Sequence, residues 1–245
     1  MKRISIVGLC LMAVFALSAG AVSSASAADL LARTSTGGSV AGATFLSSVT
    51  LPKLITHSGS TIECKHATNH GLFLSATLGN VLIRFLGCTT SGLKCNTPGA
   101  GAEEIHLPLS TLFHLGLAHL VLATTTDRVP AAVLLPGIIK IECGAGAVKI
   151  EVKGSVIGAL QTAAGAPQPL NTAFSTVNWN FQQTANGLQH LKLILMPGST
   201  TPTEYDLTSN VNGGAFELAS EVANAKLDGF KNSAGTAVEL ELVEP

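Results

Sequence analysis

Hydrophobicity along this chain alternates with a period of two. Val148, Ile150 and Val152 interleave with Lys149, Glu151 and Lys153; Val177, Trp179 and Phe181 with Asn178, Asn180 and Gln182; Val238, Leu240 and Leu242 with Glu239 and Glu241. Successive side chains of a strand point to opposite faces, so each segment buries one face and wets the other. Turn signals separate the segments about every ten residues: Gly79-Asn80, Pro98-Gly99, Pro136-Gly137, Gly144-Ala145-Gly146, Asn186-Gly187, Pro197-Gly198 and Asn212-Gly213-Gly214. This pattern predicts an all-β chain, an antiparallel β-sandwich or barrel-like fold. Strands are expected near 43–50, 60–66, 71–78, 80–87, 104–109, 117–124, 131–135, 138–143, 147–153, 155–160, 173–182, 188–195, 203–209 and 236–243. Phe216 to Lys226 fits a strand or a helical turn and is assigned to strand. The Gly- and Pro-rich stretch near 163–170 is the place for a boundary if there are two lobes.

The N-terminus reads as an address. Lys2 and Arg3 precede an apolar run from Ile4 to Leu17, which is too short for a comfortable membrane span, and small residues follow up to Ala25-Ser26-Ala27. Residues 1–27 are therefore expected to be a signal peptide cut after Ala27, leaving 28–245 as a secreted, extracytoplasmic β domain. Cys10 lies inside the apolar run, not at its end, which argues against a lipid anchor, and the far end, Val238 to Pro245, is expected to offer no stable membrane anchor. The apolar stretch from Ile105 to Thr124 is broken by Pro108 and carries His106, His114 and His119, so it reads as buried strands. Of 14 basic residues, Lys2 and Arg3 leave with the leader, so 12 face 15 acidic ones with neither sign clustered. That balance argues against a nucleic-acid partner.

Four cysteines remain, Cys64, Cys88, Cys95 and Cys143, and an even count in an exported chain implies two disulfides. Cys64 shares a face with Ile62, and Cys143 with Ile139 and Ile141, so both belong to core-facing positions; Cys88 and Cys95 bracket a turn-rich loop. The expected bridges are Cys88–Cys95 and Cys64–Cys143, with loop-entropy ceilings of about 2.5 and about 4.5 kcal/mol.

The motifs that carry chemistry are sparse. Cys64, His66 and His70 have donor atoms for zinc, but the spacing is unfamiliar and a bridged Cys64 cannot ligate, so no metal site is expected. Ser91 and Lys94 match Ser-x-x-Lys inside a loop rather than on a helix, and no Lys-Thr-Gly follows. Glu103, Glu104 and Glu142 offer carboxylates without a spacing that selects a pair. No nucleotide or cofactor fingerprint occurs, and no catalytic residue is assigned. Trp179 has the parity of Val177 and Phe181 and reads as core, and Tyr205 alone makes no sugar platform.

Ile62-x-Cys64, Phe85-x-Gly87-Cys88-Thr89, Cys95-x-x-Pro98-Gly99-Ala100, Ile105-His106-Leu107-Pro108-Leu109, Ile141-x-Cys143 and Val152-x-Gly154-Ser155-Val156-Ile157-Gly158 follow one another in an order that resembles a group of uncharacterised secreted proteins of soil actinobacteria. The resemblance covers residues 59–158 and, loosely, the C-terminal third. It implies export, disulfides and β structure, and brings no activity. The leading expectation is a non-enzymatic protein with a structural or interaction role at the cell envelope. The alternatives are a carrier of a small apolar ligand in a β-barrel, and a secreted hydrolase.

Overall fold

A computed structural model describes residues 29–56, 59–120, 128–184 and 188–244. The expected signal peptide and the Asn186-Gly187 turn lie outside them. In chain order the strands are β1 (Leu31–Thr34), β2 (Thr44–Thr50), β3 (Lys53–Thr56), β4 (Thr61–Glu63), β5 (His66–Phe73), β6 (Leu78–Leu86), β7 (Thr89–Thr90), β8 (Leu93–Asn96), β9 (Glu104–His106) and β10 (Leu112–Leu120). The second half holds β11 (Arg128–Leu135), β12 (Ile139–Cys143), β13 (Val148–Gly154), β14 (Val156–Gln161), β15 (Val177–Phe181), β16 (Leu191–Leu195), β17 (Thr203–Glu204), β18 (Leu207–Val211), β19 (Glu217–Lys231) and β20 (Leu240–Val243). The described residues contain no helix, so the fold is all-β, and the choice between sandwich and barrel resolves to a closed barrel.

The closure is double. One ring runs β2–β5–β6–β10–β11–β14–β15–β19 and returns to β2, every neighbour antiparallel. A second, shorter-stranded ring runs β3–β4–β7–β8–β12–β13–β18–β19 and returns to β3. We call them the upper and lower rings. The long strand β19 belongs to both: Glu217–Val222 pairs in the lower ring, and Ala223–Lys231 in the upper. The pairs β2/β3, β4/β5, β6/β7, β11/β12 and β13/β14 are lines of chain broken by one to three residues where they pass between rings. The local chemistry of these breaks is legible. Pro52 and Pro136 have no N–H for a ladder. Gly154 takes φ +101° where an added Cβ would collide with the Asp206 carbonyl. Closure leaves no free edge within either ring. Residues 163–170, where the sequence suggests a boundary, connect β14 to β15, which pair with each other in the upper ring.

An eight-stranded barrel is just wide enough for side chains to fill. Phe45, Phe73, Phe113, Trp179, Phe181 and Phe230 fill the upper ring, with ring centroids 5.4 Å apart for Phe73–Phe113 and 4.9 Å for Trp179–Phe181. Glycines make the room. Gly71 lies directly across from Phe45, and Gly79 directly across from Phe113, and at either glycine an added Cβ would sit closer than 3.0 Å to the facing ring. The β1–β20 ribbon supplies Leu30, Ala32, Leu240 and Leu242 to the same core and covers this end of the barrel. Outside, the β16–β17 hairpin lays Leu191 and Ile194 over Ala131, Val133 and Ile157.

Trp179 is core as expected, 4% exposed, with its N–H donated to the Ala132 carbonyl at 3.3 Å. The Phe216–Lys226 segment is strand from Glu217 on, and runs to Lys231 as the longest strand among the described residues. The strand expected at 71–78 instead runs His66–Phe73, with its turn at 74–77. The short strands β1, β3, β7 and β8 fall where none was expected.

The disulfide pairing also differs from expectation. The bridges are Cys64–Cys88 and Cys95–Cys143, not Cys88–Cys95 and Cys64–Cys143. All four cysteines face inward and stand side by side in one row around the lower ring. Glu63 pairs with Thr89, which sets Cys64 beside Cys88; the Cys95 N–H donates to the Cys88 carbonyl; and Cys95 pairs with Cys143. Cys64 and Cys143 are thus three strand spacings apart, roughly 14 Å, beyond disulfide reach. Only the observed pairing uses all four thiols. The inward parity of Cys64 and Cys143 was readable from sequence, whereas the burial of Cys88 and Cys95, expected in a turn-rich loop, and the order of strands around the ring were not.

Candidate functional site

The inward face of β19 is where the molecule departs from an ordinary core. Alternation from Leu227 back through Ala225, Ala223 and Ala219 gives Glu221 and Glu217 the inward parity, with Glu221 half-buried and Glu217 exposed at the rim of the lower ring. Glu221 stands across from Leu54, and Ala219 across from Leu207. A cavity of about 60 Å³ opens there, walled by Leu54, Ile62, Phe85, Ile141, Val152 and Leu207, with Glu221 as its acid. At ≈30 Å³ per water it has room for about two.

The Glu221 carboxyl makes no hydrogen bond and no ion pair among the described residues. Part of the side chain borders the cavity, so it is not sealed from solvent, yet the atoms packed around it are apolar. Desolvation without a compensating donor disfavours the charged form and raises its pKa from 4.5 to about 7. The strands packed against β19 are β2, β3, β15 and β18, and the one titratable residue on them is Lys53. Lys53 also lines the cavity, but its Nζ lies 2.6 Å from Glu63 Oε1. Glu221 therefore has no cation of its own.

A second cavity of about 180 Å³ lies beside the first, next to the β18–β19 turn, bounded by Thr56, Ser209, Val211, Gly214, Ala215 and Glu217. Its lining is more polar, and the buried Ser209 hydroxyl has no partner. Val152 of the inner cavity and Ser209 of the outer one are a cross-strand pair, so the two spaces share a wall.

The residues singled out from sequence do not converge. His66 and His70 lie exposed on the outer face of β5, while Cys64 points inward into its disulfide, so the three do not form a donor set. His106 Nε2 is 3.0 Å from Glu104 Oε2. His114 and His119 occupy opposite faces of β10; burial lowers the pKa of both, and Arg128 lowers that of His119 further. Ser91 sits at φ +46° in the β7–β8 turn, and the Lys94 ammonium is 3.4 Å from Glu103. Glu142 pairs across from Lys149 and Asn96 on β12. Tyr205 packs against the outer cluster under the β16–β17 hairpin.

Glu221 itself was not among those residues. The signal that would have found it is a parity violation: once Phe216–Lys226 is a strand, its one carboxylate between Ala219 and Ala223 falls on the apolar face. Comparison with known proteins gives no further guide, since no family model, no curated protein and no solved structure matches this chain.

Proposed function

We propose that this chain is an exported protein whose barrel has a non-enzymatic, structural or interaction role at the cell envelope. Two disulfides buried in the lower ring suit an oxidising compartment, and no helix among the described residues is long and apolar enough to cross a membrane. The resemblance to secreted proteins of soil actinobacteria points the same way. The observation that carries the reading is on the outer wall of the upper ring. Leu46, His70 and Leu82 form one outward row across β2, β5 and β6, with Leu46 54% and Leu82 43% exposed. Two large apolar side chains exposed on one row of a barrel wall, on either side of His70, are what a contact surface offers a partner.

The test is cosedimentation of the purified, processed protein with isolated cell envelopes. Leu46→Glu combined with Leu82→Glu should reduce the bound fraction at least fivefold without altering the melting temperature. Equal binding by the variant would remove the basis for this reading.

A second reading, binding of a small apolar molecule inside the barrel, is favoured by the Glu221 cavity. A hydrolase would need a second carboxyl, a histidine or a nucleophile beside Glu221, and among the residues that line the cavity none is present.

A further inference from the structure

We propose that a groove on the outer wall of the upper ring binds the acetamido group of an N-acetylated amino sugar. The groove, of about 160 Å³, lies where the outer face of β14 and β15 meets the Leu191 end of β16. The Leu46–Leu82 row stands on β2 and β6, so the groove is a separate place and goes beyond the contact surface proposed above. Trp179 and Phe181 take the inward positions of β15, which turns Asn180 outward, and Asn180 stands across from the small Ala159 of β14. The chain then folds back on itself: Gln183 bridges Gln189, and the His190 N–H donates to the Gln182 carbonyl at 2.9 Å. That return brings His190 and Leu191 to the same groove.

Its polar groups carry no fixed charge. Asn180 Nδ2 donates to Gln161 Oε1 at 2.8 Å. The bond leaves Asn180 Oδ1 as an acceptor and Gln161 Nε2 as a donor beside each other, with no other partner among the described residues. Exchanging O and N in both amides leaves the same pair, one acceptor and one donor. Polar atoms form part of the groove's surface, and among the described residues no carboxylate, ammonium or guanidinium lines it. A charged ligand would find no counter-ion there. An adjacent neutral donor and acceptor instead match a secondary amide, whose carbonyl accepts and whose N–H donates. At ≈30 Å³ per water the groove has room for about five, enough for an acetamido group and the edge of the ring that carries it. Val129, Ala159 and Leu191 give the acetyl methyl an apolar wall, and Gln182 and His190 offer polar groups to ring hydroxyls. A peptide carries the same amide, but extended peptides gain affinity by adding a strand to a free sheet edge. Both edges of β14 and of β15 are already paired within the ring, which favours the sugar.

The experiment titrates the disulfide-intact, processed protein at neutral pH with N-acetylglucosamine, glucose and N-acetylglycine methylamide, following backbone amide shifts by NMR. N-acetylglucosamine is expected to bind with a millimolar constant and to shift the amides of Ala159, Asn180 and Leu191. Glucose leaves the amide pair unmatched and should bind about tenfold more weakly, and the peptide analogue, without ring hydroxyls, more weakly than the sugar. Gln161→Glu still accepts from Asn180 but replaces the free donor by an oxygen, and should weaken N-acetylglucosamine about tenfold. Gln161→Met removes both polar atoms at similar length and should do the same, so a folding defect in one variant leaves the other to decide. Equal affinity for N-acetylglucosamine and glucose would overturn the acetamido assignment. Equal or tighter binding of the peptide analogue would overturn the sugar in favour of a peptide. No binding, shifts confined to other residues, or undiminished affinity in either folded variant would overturn the site.

Discussion

Replacing Gly71 by alanine tests how the upper ring is filled. Phe45 lies across from Gly71 in the β2–β5 ladder, 2% exposed, and its ring contacts those of Phe73, Phe113 and Phe230 at centroid distances of 5.7, 5.8 and 6.0 Å. A Cβ at Gly71 would fall closer than 3.0 Å to three carbons of that ring. The ring has other rings behind it, so it cannot retreat without disturbing them. Overpacking of this kind costs about 1–3 kcal/mol, and the upper end applies where the neighbours are rigid. Alanine recovers about 0.5–1 kcal/mol of backbone entropy relative to glycine in a strand. The expected net loss for Gly71→Ala is about 2 kcal/mol, or about 4–8 °C in melting temperature for a chain of this size. Phe45→Leu alone should cost about 1–2 kcal/mol through lost packing. Because the shorter side chain vacates the space the new methyl needs, the double variant should lose no more than Phe45→Leu does, a coupling of about 2 kcal/mol. Urea unfolding under non-reducing conditions measures all four proteins, and Gly101→Ala, facing only the movable Glu104 carboxylate, serves as a control expected near zero. A Gly71→Ala change within 0.5 kcal/mol of the parent, or strict additivity in the double variant, would refute the glycine-for-ring account.

Peptide mapping of the unreduced protein should yield Cys64–Cys88 and Cys95–Cys143, with sequence separations of 24 and 48 residues giving loop-entropy ceilings of about 3.5 and about 4 kcal/mol; recovery of a Cys64–Cys143 peptide would contradict the strand order of the lower ring. Glu221→Gln should stabilise the protein increasingly as pH rises. The folded state of the parent holds the Glu221 proton up to about pH 7 while the unfolded chain releases it near 4.5, so the parent loses stability through that window, with a ceiling of about 3 kcal/mol above it. His114 and His119 act in the opposite sense, their lowered pKa values making stability rise with pH up to about 6.5, so the quantity to measure is the difference between parent and variant from pH 4 to 8. A flat difference would mean that Glu221 is solvated or paired.

Strand content and inward parity belong to the sequence alone. Alternation marked β13, β15 and β20, placed Trp179 in the core, and put Cys64 and Cys143 on buried faces, because the side-chain period of a strand is a local property. Closure into two rings that share β19 was decided by the tertiary structure. Which strands become neighbours depends on long-range pairing, so Cys64 meets Cys88 rather than Cys143 although all four cysteines have the same parity. The same limit hid the site. The inner face of β19 carries Ala219, Glu221, Ala223 and Ala225, small residues chosen to fit a crowded barrel and one acid, and that set has too little hydrophobic contrast to declare a strand. Only when Leu54 and Leu207 are brought beside it by β3 and β18 does Glu221 come to border an apolar cavity rather than stand as another surface charge.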